Sequence, residues 1–154
     1  SFDLDAPAKV RLTCARSGTT AIEVAPLPET PTEPLDCIAL PLPVDAGDWR
    51  LRHKTTDRGF YADALAAAHE LDAHEALLVQ DDGLVTEGSW TSVFVEREGK
   101  LVTPPLTLGL LPGVLRDSLV AQGRAVEGEV TLDDLTNGFF IGNALRGLMR
   151  ARLI

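Results

Sequence analysis

Leu51-Arg52-His53-Lys54-Thr55-Thr56-Asp57-Arg58-Gly59-Phe60-Tyr61 is the stretch on which the reading of this chain turns. Trp49–His53 reads as a short strand, and the residues after it lead into a helix whose first turn Asp57 is placed to cap. Lys54 lies at the junction. The chain's lysines are Lys9, Lys54 and Lys100, and its other positive side chains are arginines. Lys9 opens a strand and Lys100 sits in a hairpin turn, which leaves Lys54 standing apart. Unlike a guanidinium, an amine can shed its proton when desolvated and attack a carbonyl. From position alone, a solvated lysine at a strand end is the ordinary reading.

Working outward, Lys9–Ala15 and Ala21–Ala25 alternate and read as a hairpin about Ser17-Gly18. Pro26, Pro28, Pro31 and Pro34 make the next segment a loop. Cys37–Leu42 is a third strand. Phe60–Leu71, rich in alanine with helical apolar spacing, is a helix. Glu75–Gln80 and Val85-Thr86 flank the tight turn Asp82-Gly83, and Ser92–Glu96 and Leu101–Thr103 flank Glu98-Gly99. Pro112-Gly113 opens a second helix running to Gln122, and Ala125–Val130 reads as a strand. Thr131 caps a short helix over Leu132–Leu135, and Phe139–Gly142 is the last clear strand. The basic, apolar tail Ala144–Ile154 is expected to run over the surface or a partner. Hairpins interrupted by helical crossovers imply an α/β, mixed α+β fold: a mixed sheet curled into a partial barrel with flanking helices.

The 154 residues suit one domain burying about 70% of its unfolded surface. No apolar run approaches the ~20 residues that span a bilayer, and no signal-peptide pattern opens the chain. A net charge of -9 argues against nucleic acid or an anionic membrane as partner. Cys14 and Cys37 lack metal-ligand spacing and read as reduced core residues of a cytoplasmic protein. His53, His69 and His74 form no metal pattern either, so no metal is expected.

Four further stations could carry chemistry. Glu87 sits at a strand end before Gly88, where a surface carboxylate in a turn is the plainer account. Thr91 and Ser92 open the next strand. Gly113-Val114-Leu115 starts a helix, and free amides at a helix start can hold a phosphate, although Pro-Gly also simply marks such junctions. Asn143-Ala144-Leu145-Arg146-Gly147 follows a strand's carboxyl end, a place where α/β folds bind ligands and where ordinary turns also occur.

Taken together and in this order, the stations resemble the class IV, fold-type IV enzymes that use pyridoxal phosphate. That group holds branched-chain and D-amino-acid aminotransferases and aminodeoxychorismate lyase. The likeness rests on His53–Arg58, Asp72–Gln80 with Val85–Val95, Gly109–Leu119 and Gly142–Arg152. It is closest to the lyase in Lys54-Thr55-Thr56-Asp57-Arg58, in Thr103-Pro104-Pro105 with Gly109–Gly113, and in Gly142–Gly147.

The resemblance implies that pyridoxal 5'-phosphate is the cofactor. Lys54 would condense with its aldehyde and then move the substrate's proton. Glu87 would pair with the pyridine nitrogen and keep it protonated. Ser92, Val114 and Leu115 complete the implied cofactor contacts, the last two through backbone N–H groups. Asn143, Ala144, Leu145 and Arg146 would line the substrate side, Arg146 as a carboxylate clamp. The implied reaction turns 4-amino-4-deoxychorismate into 4-aminobenzoate and pyruvate, in folate synthesis, on a homodimer. A class IV aminotransferase of branched-chain or D-amino acids shares the same cofactor and base. The sequence departs from the family in two ways: Ser92 stands where many relatives have Asn, and the family's N-terminal domain has no counterpart. With the absent initiator Met, this implies a single C-terminal, cofactor-bearing domain over residues 1–154, or a non-catalytic fragment or docking module.

Overall fold

A computed structural model describes residues 6–154. Ser1–Asp5, where the expected 1–154 domain begins, lie outside the described residues. The chain divides into two compact units, Ser1–Thr30 and Pro31–Ile154. In the first, β1 (Ala8–Cys14) pairs antiparallel with β2 (Thr20–Pro26), as the alternation predicts. Val10 faces Val24 and Leu12 faces Ile22 across the pair, and all four are exposed. Cys14 is exposed too, so it is not the core residue expected.

The second unit holds β3 (Leu35–Pro41), α1 (Gly59–Glu70), β4 (Glu75–Val79), β5 (Val85–Gly88), β6 (Ser92–Arg97) and β7 (Lys100–Thr103). It continues with α2 (Val114–Ala121), β8 (Ala125–Glu127), β9 (Phe139–Asn143) and β10 (Gly147–Leu153). Its eight strands form one mixed sheet in the order β5-β4-β3-β10-β9-β6-β7-β8. The edge strand β5 is separated from β6 by Ser89–Thr91 alone, yet β6 lies five places along the sheet. Only a curled sheet closes that gap, which gives the partial barrel expected.

Strand alternation then sorts the side chains. Leu77 and Val79 of β4, Val93 and Val95 of β6, Ile141 of β9 and Met149 of β10 fill the concave core. Ala76 and Leu78 point the other way, onto Tyr61, Ala64 and Ala68 of α1, and Phe94 packs with Leu119 of α2. β4 is apolar after Glu75 and buried along its length because both its faces are covered.

Five expectations fail. Trp49–Leu51 is a turn of 3₁₀ helix rather than a strand. Asp48 caps it by accepting from the Arg50 amide at 2.8 Å and holds the Arg50 guanidinium at 2.7 Å, so local bonds outweigh a short apolar run. Asp57 caps nothing: Arg58 is the N-cap of α1 without a side-chain bond, and Asp57 lies 3.6 Å from Arg50. Thr131 does not cap the short helix, which is a 3₁₀ turn over Asp133–Leu135; instead Asp134 accepts from the Thr131 amide at 2.8 Å. The tail is no surface run. As β10 it sits between β3, parallel, and β9, antiparallel, with Met149 and Ala151 buried between exposed Arg150 and Arg152. The strand expected over Ala125–Val130 is also shorter, ending at Glu127.

Candidate active site

Glu87 lies in β5 and is 4% exposed. Tyr61 Oη, on the first turn of α1, donates to its Oε1 at 2.5 Å, and the Leu111 amide donates at 3.2 Å. Burial pushes its carboxyl up to about 7; the Tyr61 hydroxyl, the Leu111 amide and the Arg58 charge pull the other way, and Glu75 adds a small upward push. Burial, then the charge beside it, raises the Tyr61 phenol in turn. The Arg58 guanidinium lies 4.4 Å over the Tyr61 ring centroid and donates to the Ser89 carbonyl at 3.4 Å.

Lys54 sits between the 3₁₀ turn and α1, exposed as a residue. Its amine is nonetheless held below the usual lysine range, first by burial and then by the Arg58 charge, with Glu87 opposing. Lys54, Arg58 and Glu87 thus share one electrostatic neighbourhood. Among the described residues no hydrogen bond joins Lys54 to Glu87.

The loop Leu111–Gly113 runs beside the segment Glu87–Ser92. Leu111 reaches Glu87, and two residues on Gly113 abuts Ser92: a Cβ at Gly113 would lie 2.7 Å from Ser92 Oγ. Gly113 is the N-cap of α2 and supplies no side-chain cap, so the first-turn amides of Val114 and Leu115 are left for another acceptor. The Val114 side chain is 72% exposed, while Leu115 packs under Phe94 and Leu119. Behind them Arg116 is buried. It donates to the Pro104 carbonyl at 2.9 Å and to Glu127, and its Nε has no partner among the described residues.

At the end of β9, Asn143 Oδ1 accepts from the Leu145 and Arg146 amides at 3.0 Å each, and Asn143 Nδ2 donates to the Trp90 carbonyl at 3.4 Å. Arg146 stacks on Trp90, 5.2 Å from the ring centroid. Ala144 and Leu145 are exposed on the turn. Asn143 therefore joins this turn to the Ser89–Ser92 segment, while no described hydrogen bond joins it to Lys54.

The donor set fits a phosphorylated pyridine aldehyde. It offers uncapped helix amides beside a glycine whose Cβ would crowd the Ser92 hydroxyl, a buried carboxylate for a ring N–H, and an amine of lowered proton affinity. Sequence reasoning left out Tyr61, Trp90, Arg116 and Glu75, and gave Arg58 no role. Tyr61, three residues after Arg58, carries a weak local signal. Glu75 carries one as well, a carboxylate opening an otherwise apolar strand.

Comparison with known proteins agrees with this geometry. The family profile Amino-transferase class IV matches residues 3–154. The Schizosaccharomyces pombe protein named "Putative aminodeoxychorismate lyase" is 28% identical over 155 residues, covering 96% of this chain and 67% of that protein. The Thermotoga maritima protein named "Probable branched-chain-amino-acid aminotransferase" is 36% identical over 63 residues, 41% of this chain and 23% of that protein. The crystal structure of a "Putative amino-acid aminotransferase" from Mesorhizobium loti superposes with a TM-score of 0.89 at 36% identity, covering 96% of this chain and 73% of that one. The chain thus spans only part of the length of the relatives it matches.

Proposed function

We propose, from the premise that this chain belongs to the class IV aminotransferases, that it forms the cofactor half of a pyridoxal-phosphate lyase. The reaction is conversion of 4-amino-4-deoxychorismate to 4-aminobenzoate and pyruvate. The observation that carries the cofactor reading is Glu87, buried between the Tyr61 hydroxyl and the Leu111 amide within electrostatic reach of Lys54. The lyase reading is supported by the likeness to the fission-yeast protein, which runs along nearly the whole chain, and by the Lys54–Arg58 and Gly142–Gly147 runs; the likeness to the Mesorhizobium aminotransferase is as long and makes an aminotransferase the second reading.

When bound, the cofactor supplies an aldehyde that captures the substrate amine and a ring that takes up electrons from the breaking bond. Glu87 would pair with the ring nitrogen and keep a proton there, a role its buried carboxyl suits. The amides of Val114 and Leu115 would hold the phosphate, with the Ser92 hydroxyl beside Gly113 as a further donor. Lys54 takes the proton from the amine-bearing carbon, and Arg58 keeps the lysine ready by disfavouring its charged form. The same proton goes to the departing three-carbon unit, so the base ends as it began. Arg146, steadied on Trp90, meets a substrate carboxylate, and Asn143 with Ala144 and Leu145 shapes that wall. The reading carries with it a role in folate synthesis in the cytoplasm, and a homodimer whose longer polypeptide completes the site.

Full-length protein incubated with pyridoxal phosphate and 4-amino-4-deoxychorismate should release pyruvate and 4-aminobenzoate in equal amounts. Borohydride should fix the cofactor to the peptide bearing Lys54, and Lys54→Ala should abolish both results. Absence of pyruvate would remove the lyase assignment. Keto acid formed from an amino acid would make the protein an aminotransferase, and no fixation on any peptide would make the chain a non-catalytic module.

A further inference from the structure

Glu75 is fully buried and takes no part in the chemistry proposed above. Its carboxylate collects five donors. Oε1 accepts from the Ala76 amide at 2.9 Å, the Ser89 amide at 2.9 Å and the Ser89 hydroxyl at 2.5 Å. Oε2 accepts from the Thr91 hydroxyl at 2.7 Å and the Trp90 amide at 3.3 Å. Three of the five are backbone N–H groups, which can only donate, so the acceptor oxygens of a carboxyl are what the cluster requires; burial pushes that carboxyl up, while the Ser89, Thr91, Ala76 and Trp90 donors pull it down. The residue between Glu87 and Ser89 must be glycine for the same reason: a Cβ at Gly88 would come 2.6 Å from Glu75 Oε2.

The three residues it holds, Ser89, Trp90 and Thr91, join the strand carrying Glu87 to the strand carrying Ser92. Their carbonyls have work on the other side. Ser89 O receives Arg58, and Trp90 O receives Asn143. Bonding from within and bonding from the site thus meet on the same two residues.

We propose that Glu75 is the positioning residue of this site: its carboxylate sets the Ser89–Thr91 turn and so the places of Arg58, Asn143 and Glu87. This rests on the functional reading only in calling the neighbourhood a site. Glu75 also lies close enough to Glu87 for its charge to favour a proton there. A glutamine at 75 keeps the size, removes the charge and turns one oxygen into a donor that faces other donors.

The test is Glu75→Gln in the full-length protein without cofactor, read in two ways. Hydrogen–deuterium exchange over residues 87–92 should quicken tenfold or more while the rest of the sheet is unchanged. The carboxyl titration of Glu87, followed by carbon NMR, should move to lower pH, an effect that a merely structural glutamate would not produce. A folded Glu75→Gln protein with unchanged exchange and unchanged Glu87 titration would overturn the proposal. If that variant fails to fold, Thr91→Val removes one donor and keeps the carboxylate. It should still speed exchange at Trp90, and no change there would overturn the proposal equally. Neither reading uses the cofactor, so a failed lyase assay leaves both intact.

Discussion

Glu87 takes its proton at about 7 rather than near 4.5, and this has a calculable effect on stability. The folded chain binds an extra proton between these two values, so stability falls as pH rises across that window. The contribution is complete below about pH 4.5 and lost above about 7, a swing on the order of 3 kcal/mol. Urea unfolding of Glu87→Gln and wild type, compared from acid to neutral pH, should show the variant lacking this slope; parallel curves would contradict it. Tyr61→Phe removes the 2.5 Å bond to the ionised form and should move the Glu87 midpoint higher still, as carbon NMR can read. Arg58→Gln should raise the proton affinity of Lys54 and slow its capture of pyridoxal phosphate at neutral pH. Lys54 and Glu87 were singled out by the order of motifs shared with the class IV enzymes, since each alone has a plainer reading. Tyr61 and Glu75 left only weak local signals, since the Tyr61 partner lies 26 positions away and four of the five Glu75 donors come from residues 14 to 16 positions on.

β10 shows how an element can be hidden by its composition. Its alternation is of Met149 and Ala151 with Arg150 and Arg152, and the arginines make it look like a surface tail. Its place between β3 and β9 makes it central to the sheet. Met149→Ala should therefore cost about 2–5 kcal/mol, a core value, in denaturant unfolding. A cost well under 1 kcal/mol would mean the strand is peripheral. The β1–β2 hairpin is the opposite case. Its alternation was plain, yet two strands alone hold little stability, and its apolar residues Val10, Leu12, Ile22 and Val24 are exposed. Amide exchange in the 154-residue chain should be faster over Ala8–Pro26 than over β3 or β9.

At the scale of the whole molecule, curling of the eight-stranded sheet brings β5 beside β6 and sets Gly113 against Ser92. Gly113→Ala should weaken binding of pyridoxal phosphate to the full-length protein by tenfold or more and leave binding of unphosphorylated pyridoxal nearly unchanged. Equal losses for both would place the phosphate elsewhere. The sequence by itself determined the element types wherever apolar period or turn chemistry was strong, as in α1, β4 and the Asp82-Gly83 and Glu98-Gly99 turns. It also offered the amine, the carboxylate and the glycine-led helix start as candidates, through the likeness of their order to the class IV enzymes. Only the tertiary structure decided that the tail is a central strand. It alone decided that a buried carboxylate at 75 braces the turn between Glu87 and Ser92. Those outcomes depend on hydrogen bonds and burial between residues distant in the chain, which no local pattern encodes.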